Sequence, residues 1–238
     1  METNMKKIFV FLFIIFFTTK VYSANPATGD ATEYIVEVQK VELCEDSACS
    51  TSTTVGDTSA SFNIASSSAG AEVGSFAKTT GLPLGTTFTH LRVTVSRTFT
   101  IKGSVTTDNG DCMTDGGTDA GATQLLVGKL TGSAVSTSMF LPNTGSYGAT
   151  DGTRDGDVGS SNIDMDYSSP QFAISMTVSG STAAMIYKLA NPYTVKFKSP
   201  LIKVKFQTND ALGAVRLDAE TDVCSMYPEE PLVTIDIQ

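Results

Sequence analysis

From Thr89 to Gly103 the chain reads THLRVTVSRTFTIKG, and this run decides the fold class. Apolar side chains take every second position with one exception, and they are Leu91, Val93, Val95, Phe99 and Ile101. The positions between them hold Arg92, Thr94, Ser96, Thr98 and Thr100. One apolar and one polar face are typical of an antiparallel strand that covers a core on one side. The exception, Arg97, falls on the apolar face, so we predict a bend or bulge near Ser96–Arg97.

The preceding alternating run, EYIVEVQKVELC at positions 33–44, changes phase along its length. Its apolar residues are Tyr34, Val36 and Val38 on one face, then Val41 and Leu43 on the other. A period of two residues cannot change face without an extra residue or a change of sheet. We therefore predict a bulge near Gln39–Lys40.

Short alternating runs separated by Gly, Asn, Asp and Pro continue through the rest of the chain, as an all-β protein requires. We predict further strands at Gln124–Leu130, Gln171–Val178, Ala183–Leu189, Tyr193–Lys198, Leu201–Gln207, Ala214–Asp218 and Leu232–Ile237, with shorter runs near Ser61–Ile64 and Ser138–Leu141. The one helical candidate, Ser66–Lys78, contains glycines that weaken it. The predicted fold is an antiparallel β-sandwich with at most one short helix.

The N-terminus has the pattern of a secretory signal peptide. Lys6 and Lys7 precede a fully apolar run at 8–17, and small residues follow before Ala24. The alternative is an uncleaved membrane anchor, but the apolar run is shorter than the about 20 residues that span a bilayer. We expect a signal peptide at 1–23 and a single sandwich domain at 24–238, or two subdomains meeting near 105–125. We place the protein in the periplasm, at the cell surface or outside the cell, without an integral membrane span after cleavage.

Four cysteines lie beyond the predicted signal peptide, and in an exported chain an even number favours disulfides. Cys44 and Cys49 are five positions apart, so we predict that they pair, which leaves Cys112 to pair with Cys224. The alternative is a zinc site of four thiolates, but the closely spaced C-x2-C pairs of such sites are missing.

The charge of the chain excludes some partners. Without the three lysines and one glutamate of the predicted signal peptide, the 16 basic and 25 acidic residues become 13 and 24, a net charge of −11. A phosphate backbone repels such a chain, so we expect no nucleic acid partner. An anionic membrane surface is disfavoured for the same reason.

Three segments in the first third of the chain resemble a family of uncharacterised secreted bacterial domains with a transthyretin-like (prealbumin-like) sandwich. They are Lys40-Val41-Glu42-Leu43, Leu82-Pro83-Leu84-Gly85 and Phe88-Thr89-His90-Leu91-Arg92-Val93. The chain departs from that pattern by one additional Thr before the aromatic residue and by its cysteines. The resemblance implies a fold and no activity.

Two loops rich in Asp and Gly, at 108–121 and 151–166, resemble calcium-binding loops in composition. Calcium binds six to eight oxygens, and closely spaced carboxylates supply them. In the second loop the candidate ligands are Asp151, Asp155, Asp157, Asn162, Asp164 and Asp166. Neither loop fits the EF-hand pattern, and the alternative is a solvated turn in which Asp and Gly serve the backbone.

The run YTVKFKSPLIKVKF at 193–206 is the one basic feature. Lysines alternate with apolar residues, and Ser199–Pro200 suggests a hairpin with a positive stripe of Lys196, Lys198, Lys203 and Lys205. Such a stripe protects a sheet edge from aggregation, or it binds an anionic glycan or an acidic patch of a second copy.

Catalytic patterns are weak. His90 is the single histidine and lies on the polar face, and no G-x-S-x-G elbow accompanies it. There is no Trp to stack on a sugar. We therefore expect no enzyme and no cofactor other than calcium, and instead a structural or adhesive protein with a surface partner or further copies of itself. The alternative is a periplasmic domain that binds a glycan or small ligand.

Overall fold

The computed structural model describes residues 27–66, 81–118, 128–141, 153–155, 173–197, 200, 202–216 and 224–237. Within these ranges the chain forms sixteen β-strands and no helix, so the all-β prediction is confirmed. The predicted signal peptide and most of the predicted helix lie outside the described residues. The prediction of one domain over 24–238 stays a prediction.

The strands, in chain order, are β1 Ala27–Gly29, β2 Ala31–Cys44, β3 Ser52–Gly56, β4 Ala60–Asn63, β5 Thr87–Ser96, β6 Thr98–Thr107, β7 Gly110–Thr114, β8 Gly128–Lys129, β9 Thr137–Phe140, β10 Thr153–Asp155, β11 Ser175–Ser179, β12 Thr182–Thr194, β13 Ile202–Gln207, β14 Leu212–Arg216, β15 Cys224–Pro228 and β16 Leu232–Ile237.

The two runs that decided the fold class pair with each other. β2 is antiparallel to β5 through its C-terminal half and to β6 through its N-terminal half. β5 and β6 are therefore one long strand interrupted at Arg97. Around Arg97 this strand has more residues than the segment of β2 opposite it. In β2 the register shifts between Val38 and Lys40, which leaves Gln39 without a partner across the ladder. Both predicted bulges are confirmed.

β6 belongs to two sheets. Its first half pairs with β2 and β9, and its second half pairs with β7. The sheet then continues through β8, β15 and β14 to β1. On the other side, β2 also pairs with β3 and β4, and β5 continues to β12, β11 and β10. The bulges allow one strand to turn from the first group to the second.

Two large apolar cores follow from this arrangement in the described residues, besides a small cluster of Cys44, Cys49 and Ile186. The first lies between the two parts of the sheet and includes the edge-on ring pair Tyr34 and Phe99, with centroids 5.7 Å apart. The second is covered by a separate two-stranded sheet of β13 and β16. Its buried residues are Leu43, Val55, Phe88, Leu91, Ala173, Tyr187, Leu189, Val195, Val233 and Ile235. The layers form an antiparallel sandwich.

The contacts of Arg97 account for its position on an apolar face. Its guanidinium donates to the carbonyls of Leu141 (2.7 Å) and Gly180 (2.8 Å) and lies 4.3 Å from the ring centre of Phe140. At the bulge, the Arg97 side chain therefore connects β5–β6 to the end of β9 and to the β11–β12 turn. Burial lowers the pKa of Arg97.

The predicted lysine hairpin at 193–206 does not form. β12 pairs with β5 as far as Thr194, and β13 pairs with β16. Neighbouring strands in sequence therefore belong to different layers here, because each has a better apolar partner elsewhere than the other.

Candidate functional site

Both predicted disulfides are present, which confirms the pairing and excludes the zinc alternative. Cys44 and Cys49 have Cα atoms 4.9 Å apart and close the β2–β3 loop. Cys112 and Cys224 have Cα atoms 5.9 Å apart and join β7 to β15 across 112 positions of sequence. Disulfides persist in oxidising compartments, so the two bonds indicate an oxidising, extracytoplasmic environment.

The Cys44–Cys49 loop is further ordered by Asp46. Its carboxylate accepts from the backbone N–H groups of Ala48 (2.9 Å) and Ser50 (3.2 Å) and from the hydroxyl of Ser50. These bonds, first of all that of the Ser50 hydroxyl, lower the pKa of Asp46. Cys49 has a φ of 54°, a left-handed conformation that a non-glycine residue rarely adopts.

Strand register defines a surface that we call the outer face, on the side of β3, β2, β5 and β12 away from the second core. Residues directly opposite one another in a ladder share a face. Glu42 lies opposite Arg92 and Thr54, and Cys44 lies opposite His90 and Ser52. The outer face is completed by Lys188, opposite His90, and Ile186, opposite Arg92.

A buried carboxylate is the centre of this face. Glu42 is 4% exposed and receives hydrogen bonds from Arg92 Nε (2.7 Å) and Ser52 Oγ (3.1 Å), with Lys40 Nζ at 2.9 Å. The hydrogen bond from Arg92 is the main cause that lowers its pKa to about 2. Glu42 is therefore ionised at every physiological pH, and the cluster is an ion pair network rather than a proton donor or acceptor.

His90 sits beside this network. Its Nδ1 lies 2.8 Å from the hydroxyl of Thr89, which also donates to the carbonyl of Glu45. Burial, and then the charge of Lys188, lower the pKa of His90, so the ring is neutral at pH 7. The described residues give it no hydrogen bond to a carboxylate or serine, which a catalytic triad would need.

A second surface lies at the end of β5 and β12, and we call Leu84 and Phe197 the apolar tip. Phe197 is 97% exposed and Leu84 is 59% exposed. The sequence alternation placed Phe197 on the same face as the buried Val195, but the ladder ends before it. One signal was available in the sequence: the Leu82–Gly85 run is a tight turn, whose tip residues point outward.

The predicted lysine stripe is dispersed. Lys196 is exposed in the loop after β12. Lys203 and Lys205 lie on β13 opposite Asp236 and Thr234, so an acidic residue stands directly across from one of them. Lys198 lies outside the described residues. Binding of an anionic partner by these lysines therefore stays a prediction.

The predicted calcium ligands are mostly outside the described residues. Asp151, Asp157, Asn162, Asp164 and Asp166 are not described, and Asp155 ends β10, which pairs with β11. In the first loop, Asp111 accepts from Thr106 (2.8 Å) and Asp115 from the N–H of Gly117 (2.6 Å). Within the part of the chain that is described, no three His, Cys, Asp or Glu residues form a metal-binding group. Calcium binding by the second loop stays a prediction.

In comparisons with known proteins, no family model, no curated protein and no solved structure matches the chain. The resemblance to transthyretin-like domains therefore also stays a prediction. No helix in the described ranges is long and apolar enough to cross a membrane.

Proposed function

We propose that the protein is an exported, non-catalytic adhesive or structural module of the periplasm or cell surface. Its two disulfides support export, since they require an oxidising compartment. The signal peptide pattern at 1–23 agrees with this location.

The observation that carries the proposal is the apolar tip on a braced sheet. A soluble protein rarely leaves a phenylalanine 97% exposed at a loop end without a use for it, because such a side chain gains when a partner covers it. Its base is rigid, since the neighbouring loop is closed by Cys44–Cys49. A rigid support keeps the entropic cost of binding low.

The groups with shifted pKa support a non-catalytic role. Glu42 is held by two cations, Asp46 caps its own loop, and the buried Tyr34 hydroxyl donates to the carbonyl of Glu229 (3.1 Å). Burial raises the pKa of Tyr34. Each of these groups stabilises the fold through contacts that a reacting group would have to give up.

Cell fractionation and a binding assay test this function together. We expect the mature chain, beginning near Ala24, in an extracytoplasmic fraction, and saturable retention of the purified protein on cell envelopes. A full-length precursor that stays in the cytosol would refute export. Catalytic turnover would refute the non-catalytic role, and a lack of retention together with a strictly monomeric state would refute both the adhesive and the structural role.

Self-association is the structural form of the proposal, and β16 supports it. In the described part of the chain, β16 pairs with β13 alone, and strands of this kind can extend into a second copy. Light scattering over a concentration series should show oligomers that grow with concentration. A monomer at every concentration would leave adhesion as the only role.

The second candidate is a domain that binds an anionic glycan or small ligand, and the outer face favours it. Lys40, Arg92 and Lys188 give this face three cations against the one carboxylate of Glu42. A glycan array should then show binding that Lys40→Glu with Lys188→Glu abolishes. Equal binding by this double variant would exclude the outer face.

A further inference from the structure

The apolar tip lies at the end of a two-stranded extension of β5 and β12. The N–H of Gly85 donates to the carbonyl of Val195 (3.0 Å), and the N–H of Val195 donates to the carbonyl of Thr86 (2.9 Å). The turn is closed by Thr86 N–H to Pro83 O (3.3 Å), with a φ of 80° at Gly85. A type II turn requires this positive φ, and it leaves Leu84 at the outermost corner.

The extension projects beyond the acidic loop next to it. His90 pairs with Cys44, and β5 begins three residues before His90 at Thr87, about 10 Å away at the rise of a β-strand, with the turn at Gly85 beyond it. Glu45 is held back at the level of Thr89 by the hydrogen bond between the Thr89 hydroxyl and its carbonyl (2.8 Å). The tip can therefore reach a surface before the carboxylates of this loop do.

The charges of the chain are divided between segments. Residues 73–107 and 167–209 contain nine of the 16 lysines and arginines and none of the 25 acidic residues. The remaining segments hold 7 basic residues against 25 acidic ones. β5 and β12 come from the two acid-free segments and pair with each other, so they form one acid-free unit, in which Arg92 is ion-paired with Glu42 of β2. The apolar tip is the end of that unit, and Lys196 is exposed beside it.

The size and shape of the tip argue against a flat protein partner. Two side chains of this type expose on the order of 300 Å². A stable protein interface needs about 800 Å² from each partner. Two projecting apolar side chains with an adjacent lysine suit insertion into a soft surface, where the ring enters the acyl boundary and the ammonium remains among phosphates.

We propose that the apolar tip docks end-on onto an anionic lipid surface. Phe197 and Leu84 enter the boundary between headgroups and acyl chains, and Lys196 contacts lipid phosphates. The acid-free unit of β5 and β12 is attracted to these phosphates. This rests on the proposed adhesive function and names its target. The net negative charge of the whole chain disfavours an anionic membrane. The tip can still be attracted to one, because the attraction depends on which end of the molecule approaches.

Vesicle co-sedimentation of the full mature chain tests this docking. We expect binding to phosphatidylcholine vesicles that contain about one third phosphatidylglycerol, and weak binding to phosphatidylcholine alone. About 1 M salt should reduce binding strongly, since it shortens the screening length to about 3 Å. Phe197→Ser should weaken binding about 30-fold and Leu84→Ser about 5-fold. Lys196→Glu should weaken it about 10-fold.

Val135→Ser is the matched control, because Val135 is the third large apolar side chain that is exposed among the described residues, at 44%. It should bind as the parent does. Equal binding by Phe197→Ser and the parent would overturn the proposal. So would oligomers without vesicles that Phe197→Ser dissolves, since they would assign the tip to a second copy. Retention on cell envelopes that survives Phe197→Ser would refute this docking and leave the adhesive function standing.

Discussion

The outer face includes β5 and β12, the apolar tip lies just beyond the ends of these two strands, and both reverse the usual rule of burial. The outer face buries a carboxylate, and the tip exposes a phenylalanine ring. Glu42 is tolerated because Arg92 and Lys40 neutralise it and Ser52 donates to it. Phe197 has no comparable contact, and its position costs the fold free energy that no described neighbour returns. The difference separates a feature that stabilises the fold from one that is kept for binding.

Among changes on the outer face and the apolar tip, the largest effect should come from breaking the ion pair network of the outer face. Glu42→Ala leaves two cations facing a nearly buried site without a counter-charge, and we expect it to lower the free energy of unfolding by about 3 kcal/mol. Urea denaturation measures this. Glu42→Gln, which keeps the shape, is the control and should lose less. A loss below about 0.5 kcal/mol would place Glu42 with ordinary surface ion pairs.

Removing the Cys44–Cys49 disulfide at the edge of the outer face should have the next largest effect. We expect Cys44→Ala with Cys49→Ala to cost about 2 kcal/mol, since a five-residue loop gains little entropy in the unfolded state. The same denaturation series measures it. The control is Cys112→Ala with Cys224→Ala, whose long loop should cost about 5 kcal/mol. A larger loss of stability for the Cys44–Cys49 variant than for the control would mean that this disulfide stabilises the outer face by more than loop entropy.

Acid should weaken the outer face selectively. The pKa of Glu42 falls from 4.5 in the unfolded chain to about 2 in the folded one. Its contribution is therefore complete above pH 4.5 and is lost as the pH falls toward 2. The shift corresponds to about 3 kcal/mol, which the solvent exposure of Lys40 and Arg92 reduces to about 2 kcal/mol. Unfolding curves at several pH values in this window should show a smaller slope for Glu42→Gln than for the parent. Parallel slopes would show that Glu42 is not the titrating group.

The smallest effect on stability should come from the apolar tip. Phe197→Ser removes a side chain that packs on little, so the free energy of unfolding should change by less than about 0.5 kcal/mol. Thermal melting measures it. If the variant loses as much as Glu42→Ala, the ring is part of the core, and its role in binding has no support.

Much of the strand pattern could be predicted from the sequence. Arg97 and the phase change at Gln39–Lys40 marked both bulges, because an interruption of a two-residue period has few structural causes. The cysteine pairs could be predicted from spacing and compartment. Of the sites, the sequence placed Arg92 and His90 on a polar face, but it did not indicate that Glu42 would be buried beside them.

By itself, the sequence determined the fold class, the bulges and the covalent links, since each depends on local alternation or on the few possible cysteine pairings. Only the tertiary structure decided that β12 pairs with β5 and β13 with β16, so that the expected lysine hairpin was replaced by two separate layers. The pairing of β2 with β3 and β5 buries Glu42, and the pairing of β12 with β5 ends before Phe197 and joins strands from the two acid-free segments. The physical reason is that a strand presents the same alternation to every neighbour, and the choice among neighbours depends on the packing of distant residues.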